Sequence, residues 1–552
     1  MIRNTKAKYL THNALQVLKS PIAEILSLEK SGMMTSRTIR IAQLVCASIW
    51  CLFAAGIVFG FAAFKTILID EGIYSGLCHR DEAPKTPDPA APCIEQDLKL
   101  NLLFTIAAAV TNVIALPVGW ILDYYGPRIC GIAGAMWLMA ASFTFKWSKH
   151  LESYIDPYMT GYTLLAIGGP FVFISCFQLA NSFPQRSGTI LALISGCFDS
   201  SSALFLFYRL LYQKWNHSPH LSKFFSIYLV VPVFIIFCQL AIMPHRSYKT
   251  QAAVAKLTTE GLDENGHLLE GDDGSAITSD VCERQSLLAQ DAMELEQDRQ
   301  SHNTGRRKSV LETYVEAKLE EKTGGAFGIL HDYSLKAQLR SPLFFLMVIF
   351  ATVCMLRINY FVATIRSQEE YLLGDPRLAI QMNAIFDVAL PLGGVLSIPF
   401  TGLILDHLDT LSTLSLVLVT SVAIGVLGLI PHAFTANLIG ILLLVVYRPF
   451  YYTVISDYVS KIFGFDNFGT VYGALISISG VCNMFQSVLD DWTHNTFKMN
   501  PSPVNSVLVV ATIISGFALI RNLKLHIHER QDFKVAIHPE TSESDSPTYG
   551  ST

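Results

Sequence analysis

The sequence predicts an all-α membrane protein of twelve transmembrane helices, arranged as two six-helix halves joined by a polar linker. Three observations carry that reading. The 552 residues are 51% hydrophobic and only 15% charged, against about 25% charged in a soluble domain, and an apolar excess of that size belongs in lipid. Twelve runs are long enough to cross a bilayer core, which takes about 20 residues of helix. Two short motifs of the first half recur in the second at nearly one offset. A formal net charge of −5 gives no electrostatic reason to bind nucleic acid. Eleven cysteines are too few for a disulfide scaffold.

The apolar runs fall at 41–64, 98–122, 128–148, 157–181, 187–211, 222–243, 342–364, 378–405, 411–430, 435–458, 467–488 and 503–525. The first follows a polar stretch and is longer than the core of a signal peptide, so it reads as a span. Arg3, Lys6, Lys8, Lys19, Lys30, Arg37 and Arg40 precede it, whereas the loop after it carries Asp70, Glu71, Asp81, Glu82, Asp88, Glu95 and Asp97. The positive side faces the cytosol, and twelve crossings return the C-terminus to that side. Cys78 and Cys93 lie in the first external loop, where disulfides persist, and are expected to bridge. Asn216-His217-Ser218 is a glycosylation sequon in another external loop. The remaining cysteines read as small packing residues.

The domain plan is a cytosolic tail (1–40), a first six-helix half (41–243), a largely disordered cytosolic linker (244–341), a second half (342–525) and a cytosolic tail (526–552). The linker's middle, around Gly271-Asp-Asp-Gly, has the low hydrophobicity of disorder, and 310–322 reads as a short amphipathic helix. Glu283-Arg-Gln-Ser-Leu287-Leu288 has the acidic dileucine form that a sorting adaptor reads, and Glu264 through Leu268-Leu269 repeats it. Vacuolar or lysosomal membrane and plasma membrane both stay open. Arg306-Arg307-Lys308-Ser309 has the form of a basophilic kinase site at Ser309.

Span two ends Gly119-Trp-Ile-Leu-Asp123-Tyr-Tyr-Gly126-Pro-Arg128, and span eight ends Gly402-Leu-Ile-Leu-Asp406-His, 283 residues on. Gly188-Thr189-Ile190 precedes span five, and Gly469-Thr470-Val471 precedes span eleven, 281 residues on. Parallel six-span repeats are the plan of the major facilitator transporters, which hold substrate near the midplane between the halves. The G-x-x-x-D-x-x-G-x-R run is similar to that superfamily's motif between spans two and three. Gly119 would let a neighbouring helix approach. Asp123 would accept from a helix N-terminus of the other half, and Arg128 would pair with an acid, latching the inward mouth. Gly402 and Asp406 repeat the device.

Further stretches resemble the solute carrier 43 family: Glu71-Gly72-Ile-Tyr74-Ser75, Leu102-Leu-Phe104-Thr105-Ile106, Leu116-Pro117, Phe198-Asp199-Ser200-Ser201-Ser202-Ala203, Leu356-Arg357 with Tyr360, and Phe468-Gly469-Thr470 with Gly473. The resemblance implies sodium-independent facilitated transport by alternating access, of large neutral amino acids in some members and purine nucleobases in one branch. The stretch around Arg357 looks like the former and that around Asp199 like the latter. Neutral amino acids lead, and nucleobases or proton-coupled amino-acid uptake are the alternatives.

Ionisable groups deep in a membrane are costly and mark function. Four stand out: Asp199, Arg357, Asp387 and Arg448. In a facilitator fold spans one, four, seven and ten line the cavity, so Arg357 and Arg448 are expected to face substrate. Tyr360 and Phe361 follow Arg357 at i+3 and i+4, and Tyr451 and Tyr452 follow Arg448 likewise, each set sharing a helix face. Asp199 suits a contact between halves, a purine edge or a proton carrier. Gly168-Gly169-Pro170 is expected to interrupt span four. No G-x-x-x-x-G-K-[ST] or H-E-x-x-H occurs, which excludes ATP-driven pumping and gives no reason for a cofactor. A small-molecule substrate and the lipid bilayer are the expected partners.

Overall fold

The computed structural model describes residues 37–78, 93–183, 186–215, 217–244, 247–248, 318–331 and 333–537. Asn216, Glu283, Leu287, Leu288 and Ser309 lie outside the described residues. Twelve helices are long and apolar enough to span a membrane, from Arg37–Ala55 to Ser502–Asp532, matching the twelve runs with shifted ends. Helix is what lipid demands, because every backbone N–H and C=O must be satisfied within the segment. Several starts are set by a capping side chain followed by proline. Asp156 accepts from the Met159 amide (3.0 Å) before Pro157, and Ser341 from Phe344 (3.2 Å) before Pro342.

Several spans are not uniform helices. Span one runs α-helical over Arg37–Trp50, widens over Cys51–Ala55, tightens over Ile57–Gly60 and resumes at Phe61–Asp70. Glycine causes the break. A Cβ on Gly56 would lie 2.7 Å from the Phe198 carbonyl, and one on Gly60 2.4 Å from that of Ser202. The Gly56 amide donates instead to Ser201 Oγ at 2.8 Å. Span eleven loosens similarly beyond Phe468–Cys482, and span five is divided at Ser201 and Ser202. Span four corrects an expectation, since its helix Pro157–Ile174 passes through Gly168-Gly169-Pro170 without interruption. Those glycines serve packing: a Cβ on Gly169 would sit 2.2 Å from the Ala55 carbonyl of span one.

The two halves meet along spans five and eight and along spans two and eleven. Gly196 and Gly394 bring the first pair into backbone contact, and Gly473 packs on Ala115 in the second. Cys78 and Cys93 are bridged. The last helix, Ser502–Ile537, runs past the expected end at 525. The linker's final part is docked rather than loose. Gly328 and Leu330 amides donate to the Lys461 and Ile462 carbonyls at 3.0 Å each, and Arg530 Nη1 donates to the Phe327 carbonyl at 2.7 Å. Carbonyls at the end of span ten that the helix leaves free, and Arg530 on the extension of the last helix, therefore hold 318–331 against the second half.

Candidate functional site

At the end of the bundle expected to face the cytosol, the four sequence echoes turn out to be two pairs of partners. Asp123 Oδ1 accepts from the Gly469 amide (2.8 Å), and its Oδ2 from the Thr470 amide (2.6 Å) and Thr470 Oγ1 (2.7 Å). Asp406 Oδ1 accepts from the Gly188 amide (2.9 Å), and its Oδ2 from the Thr189 amide (3.2 Å) and Thr189 Oγ1 (2.5 Å). Each carboxylate caps the N-terminus of a helix in the opposite half, where unpaired amides and the helix dipole favour a negative charge. Gly119 makes this possible, because a Cβ there would lie 1.8 Å from the Gly469 carbonyl. Gly402 faces Thr189, with Oγ1 2.8 Å from such a Cβ. Gly126 ends its helix at φ 84°, a conformation that favours glycine. Arg128 Nε donates to the Met243 carbonyl of its own half at 3.1 Å.

Between the halves, Arg448 Nη1 of span ten lies 3.1 Å from Asp199 Oδ1 of span five, with the two side chains 8% and 2% exposed. The pair sits in a chamber walled by Phe59, Phe173, Phe198, Tyr452 and Tyr472, and the guanidinium stands 5.5 Å from the Phe59 ring centre. Ser195 Oγ, one turn before Asp199, lines the same chamber. That hydroxyl and both Asp199 oxygens are buried without a hydrogen-bond partner among the described residues. Buried polar atoms are almost always satisfied, so Ser195 Oγ and Asp199 Oδ2, which lack even an ion-pair partner among the described residues, are poised for a ligand.

The structure divides the expected substrate-facing set. Arg357 is not in this chamber. Its Nη1 donates to Ser421 Oγ at 2.9 Å and its Nη2 to the Ser421 carbonyl, in a separate hollow inside the second half. Gly425 draws it there, since a Cβ at that position would come within 2.6 Å of Nη2. Tyr360 turns away, its hydroxyl 2.6 Å from Thr493 Oγ1 and its ring among Val504 and Leu508. Tyr451 donates to the Ala351 carbonyl at 2.6 Å in the core, so the ring at i+4, Tyr452, is the one that reaches the chamber. Asp387 is outside it and accepts from Asn383 at 3.2 Å. Phe59, Phe173, Tyr472 and Ser195 were missed. Only Ser195, at i−4 from Asp199, carried a usable signal.

Six-span halves related by repetition, joined across paired latches around a midplane chamber, define a transporter. The chain belongs to the Major Facilitator Superfamily, whose model matches residues 85–486, and is a multi-pass integral membrane protein rather than an enzyme. It is 63% identical over 487 residues to Protein FMP42 of Saccharomyces cerevisiae, covering 88% of this chain and 95% of that one. It is 23% identical over 500 residues to Equilibrative nucleobase transporter 1 of Bos taurus, covering 86% and 94%. Over 167 residues it is 28% identical to Large neutral amino acids transporter small subunit 3 of Homo sapiens, covering 29% and 30%. Among solved structures it shares its fold with the human organic anion transporter MFSD10, at a TM-score of 0.52, 13% identity, and coverage of 87% and 99%.

Proposed function

We propose that the chain is a solute carrier 43-type facilitator that carries large neutral amino acids, without sodium, by alternating access around Asp199 and Arg448. The observation that carries this reading is one acid and one base, side by side in an aromatic chamber, with the acid's Oδ1 against the base and its Oδ2 without a partner among the described residues. An α-amino acid offers the complementary charges. Its ammonium satisfies Asp199, and its carboxylate takes the planar fork of Arg448 in charge-assisted hydrogen bonds. Phe59, Phe173 and Phe198 receive the apolar side chain. Site and substrate are each neutral overall, so no ion is needed to balance the loaded chamber. Labelled leucine uptake into liposomes holding the purified protein is expected to be saturable and unchanged when sodium is replaced by choline. Uptake that requires sodium, or that accumulates leucine and collapses with a protonophore, overturns the facilitator reading.

A nucleobase substrate is the second reading, favoured by the near full-length similarity to the bovine nucleobase transporter. Five rings suit a planar base, and Asp199 would accept from its ring N–H. Adenine uptake that leucine does not inhibit would select it.

The Asp123 and Asp406 latches hold the cytosolic mouth shut in this reading. Hydrogen bonds to a charged acceptor contribute about 1.5–3 kcal/mol each. Thr470→Val removes one of three, and is expected to shift the access equilibrium about tenfold toward the inward-open state. A single cysteine in the cytosolic mouth reports it through faster labelling, and unchanged labelling would count against the latch. The acidic dileucine at Glu283, Leu287 and Leu288 directs the protein to an internal membrane through an adaptor. Alanine at both leucines, together with Leu268 and Leu269, is expected to move it to the surface, and unaltered location would remove the adaptor from the scheme. Asn216 and Ser309 are the proposed glycosylation and phosphorylation sites, tested by glycosidase mobility shift and phosphopeptide mapping; an unshifted, unmodified protein excludes them.

A further inference from the structure

The second hollow, inside the second half among spans seven, nine, ten and twelve, contains two charged side chains that do not pair. Arg357 uses Ser421 alone, and Glu369 has one hydrogen bond, accepted by Oε2 from Asn437 Nδ2 at 3.0 Å. Glu369 and Asn437 are each 1% exposed. Asn437 Oδ1 is buried with no hydrogen-bond partner among the described residues. Gly425, Gly428 and Gly440 on the facing helices keep the space open. In the first half, the corresponding space among spans one, three, four and six is filled by stacked rings: Phe64 on Tyr162 at 5.6 Å, and Phe145 on Phe225 at 4.2 Å. Duplication supplied one solid bundle and one hollow polar one.

We propose that Glu369 and Asn437 form a proton-binding site whose occupancy controls transport from the extracytosolic side. An amide presents its N–H and its C=O on one carbon, and a neutral carboxylic acid presents the matching acceptor and donor. With a proton on Oε1, Glu369 donates to Asn437 Oδ1 while Oε2 keeps the Asn437 Nδ2 bond. The orphan oxygen is then satisfied and the buried charge removed. Without the proton, a carboxylate faces a carbonyl oxygen and the ring of two bonds is broken. The tie joins the outer end of span seven to the first turn of span ten, the helix that carries Arg448. Closing it therefore biases the helix that holds the central ion pair, in the arrangement whose cytosolic latches are shut.

The surroundings leave Glu369 as the titrating group. Span nine contributes Ile424 and glycines, and span twelve contributes the neutral Asn505, which donates to Gln368 at 2.8 Å. Arg366 and Glu370 of the same helix are exposed away from the hollow. Arg357 stays charged throughout, about 18 Å along the helix axis, and His432 lies against Gly374 in the loop outside.

Infrared difference spectra of the purified full-length protein, recorded between about pH 5 and pH 8, test this without reference to substrate. The protonated-carboxyl band that belongs to Glu369, read as native minus Glu369→Gln so that Asp123 and the other carboxyls cancel, is expected to titrate in the native protein and to be missing in Glu369→Gln, whose amide reproduces both bonds to Asn437. Uptake of leucine or adenine, whichever is carried, is expected to change about tenfold over that range if the two access states differ by one unit in proton affinity, and to be flat in Glu369→Gln. Asn437→Asp makes two carboxyls share one proton, so the midpoint is expected to move to higher pH, a shift that misfolding does not produce. A band that persists in Glu369→Gln, or a midpoint unmoved in Asn437→Asp, overturns the proposal.

Discussion

Uptake is expected to be abolished in Arg448→Ala while the protein remains folded in its membrane. This is the largest effect expected, because the substitution removes the one cation that, among the described residues, stands beside Asp199 in the central chamber. Breaking a buried pair by deleting one partner costs about 3–5 kcal/mol, and in the proposed reading the deleted group also holds the substrate carboxylate. Each 1.4 kcal/mol is a factor of about ten in affinity, so the combined loss exceeds about a thousandfold. Arg448→Lys keeps the charge but not the planar fork, and is expected to raise KM at least about tenfold with smaller change in the maximal rate. Asp199→Asn removes the ammonium acceptor and is expected to be as damaging as Arg448→Ala. Initial uptake rates on membranes normalised for protein decide it. Normal leucine uptake by Arg448→Ala would show that the pair only joins the halves. Arg357→Lys, in contrast, leaves the central chamber intact and is expected to keep its substrate KM.

Gly119→Val is expected to lock the protein open to the cytosol. A Cβ at Gly119 would be 1.8 Å from the Gly469 carbonyl, an atom of the backbone that cannot rotate away. Spans two and eleven must separate, and Asp123 loses its three bonds to Gly469 and Thr470. With charge-assisted bonds at about 1.5–3 kcal/mol each, the closed state becomes a minor species and turnover falls to near background. Gly402→Ala should be milder, since the nearest atom to its Cβ is a threonine hydroxyl at 2.8 Å that can change rotamer. Cysteine accessibility from the cytosolic side, compared in the two variants, measures this asymmetry. Equal accessibility would show that the latches do not set the closed state.

Those latches were the most legible part of the site. Glycine, aspartate and Gly-Thr are conspicuous at the ends of apolar helices, and their equal spacing in both halves marked them as repeated parts. That Asp123 meets Thr470 and Asp406 meets Thr189 follows once the halves face each other, because one echo supplies the acid and the other the helix N-terminus. The twelve spans were legible for a related reason, since lipid allows few alternatives to apolar helix. The central chamber was less so. Arg357 and Arg448 carry the same Arg-x-x-aromatic-aromatic pattern, and only the side chain missing at Gly425 sends Arg357 into its own bundle. The i+3 and i+4 rings share a helix face in sequence, yet a rotation of a few tens of degrees leaves Tyr451 in the core and Tyr452 in the chamber. Phe59 and Tyr472 come from the distorted span one and from the partner half, where no local pattern points to the chamber. The docking of 318–331 was hidden because it uses backbone carbonyls of span ten rather than an apolar face.

The central claim is that one site holds an ammonium on Asp199 and a carboxylate on Arg448 together. Competition against labelled leucine in proteoliposomes tests it most directly, with four unlabelled compounds at equal concentration: leucine, leucinamide, 4-methylpentanoate and adenine. Leucine alone should compete strongly. Leucinamide lacks the carboxylate and 4-methylpentanoate the ammonium, so each leaves one buried charge unsatisfied and should be at least about tenfold weaker. Full competition by 4-methylpentanoate, leucinamide or adenine would contradict the account.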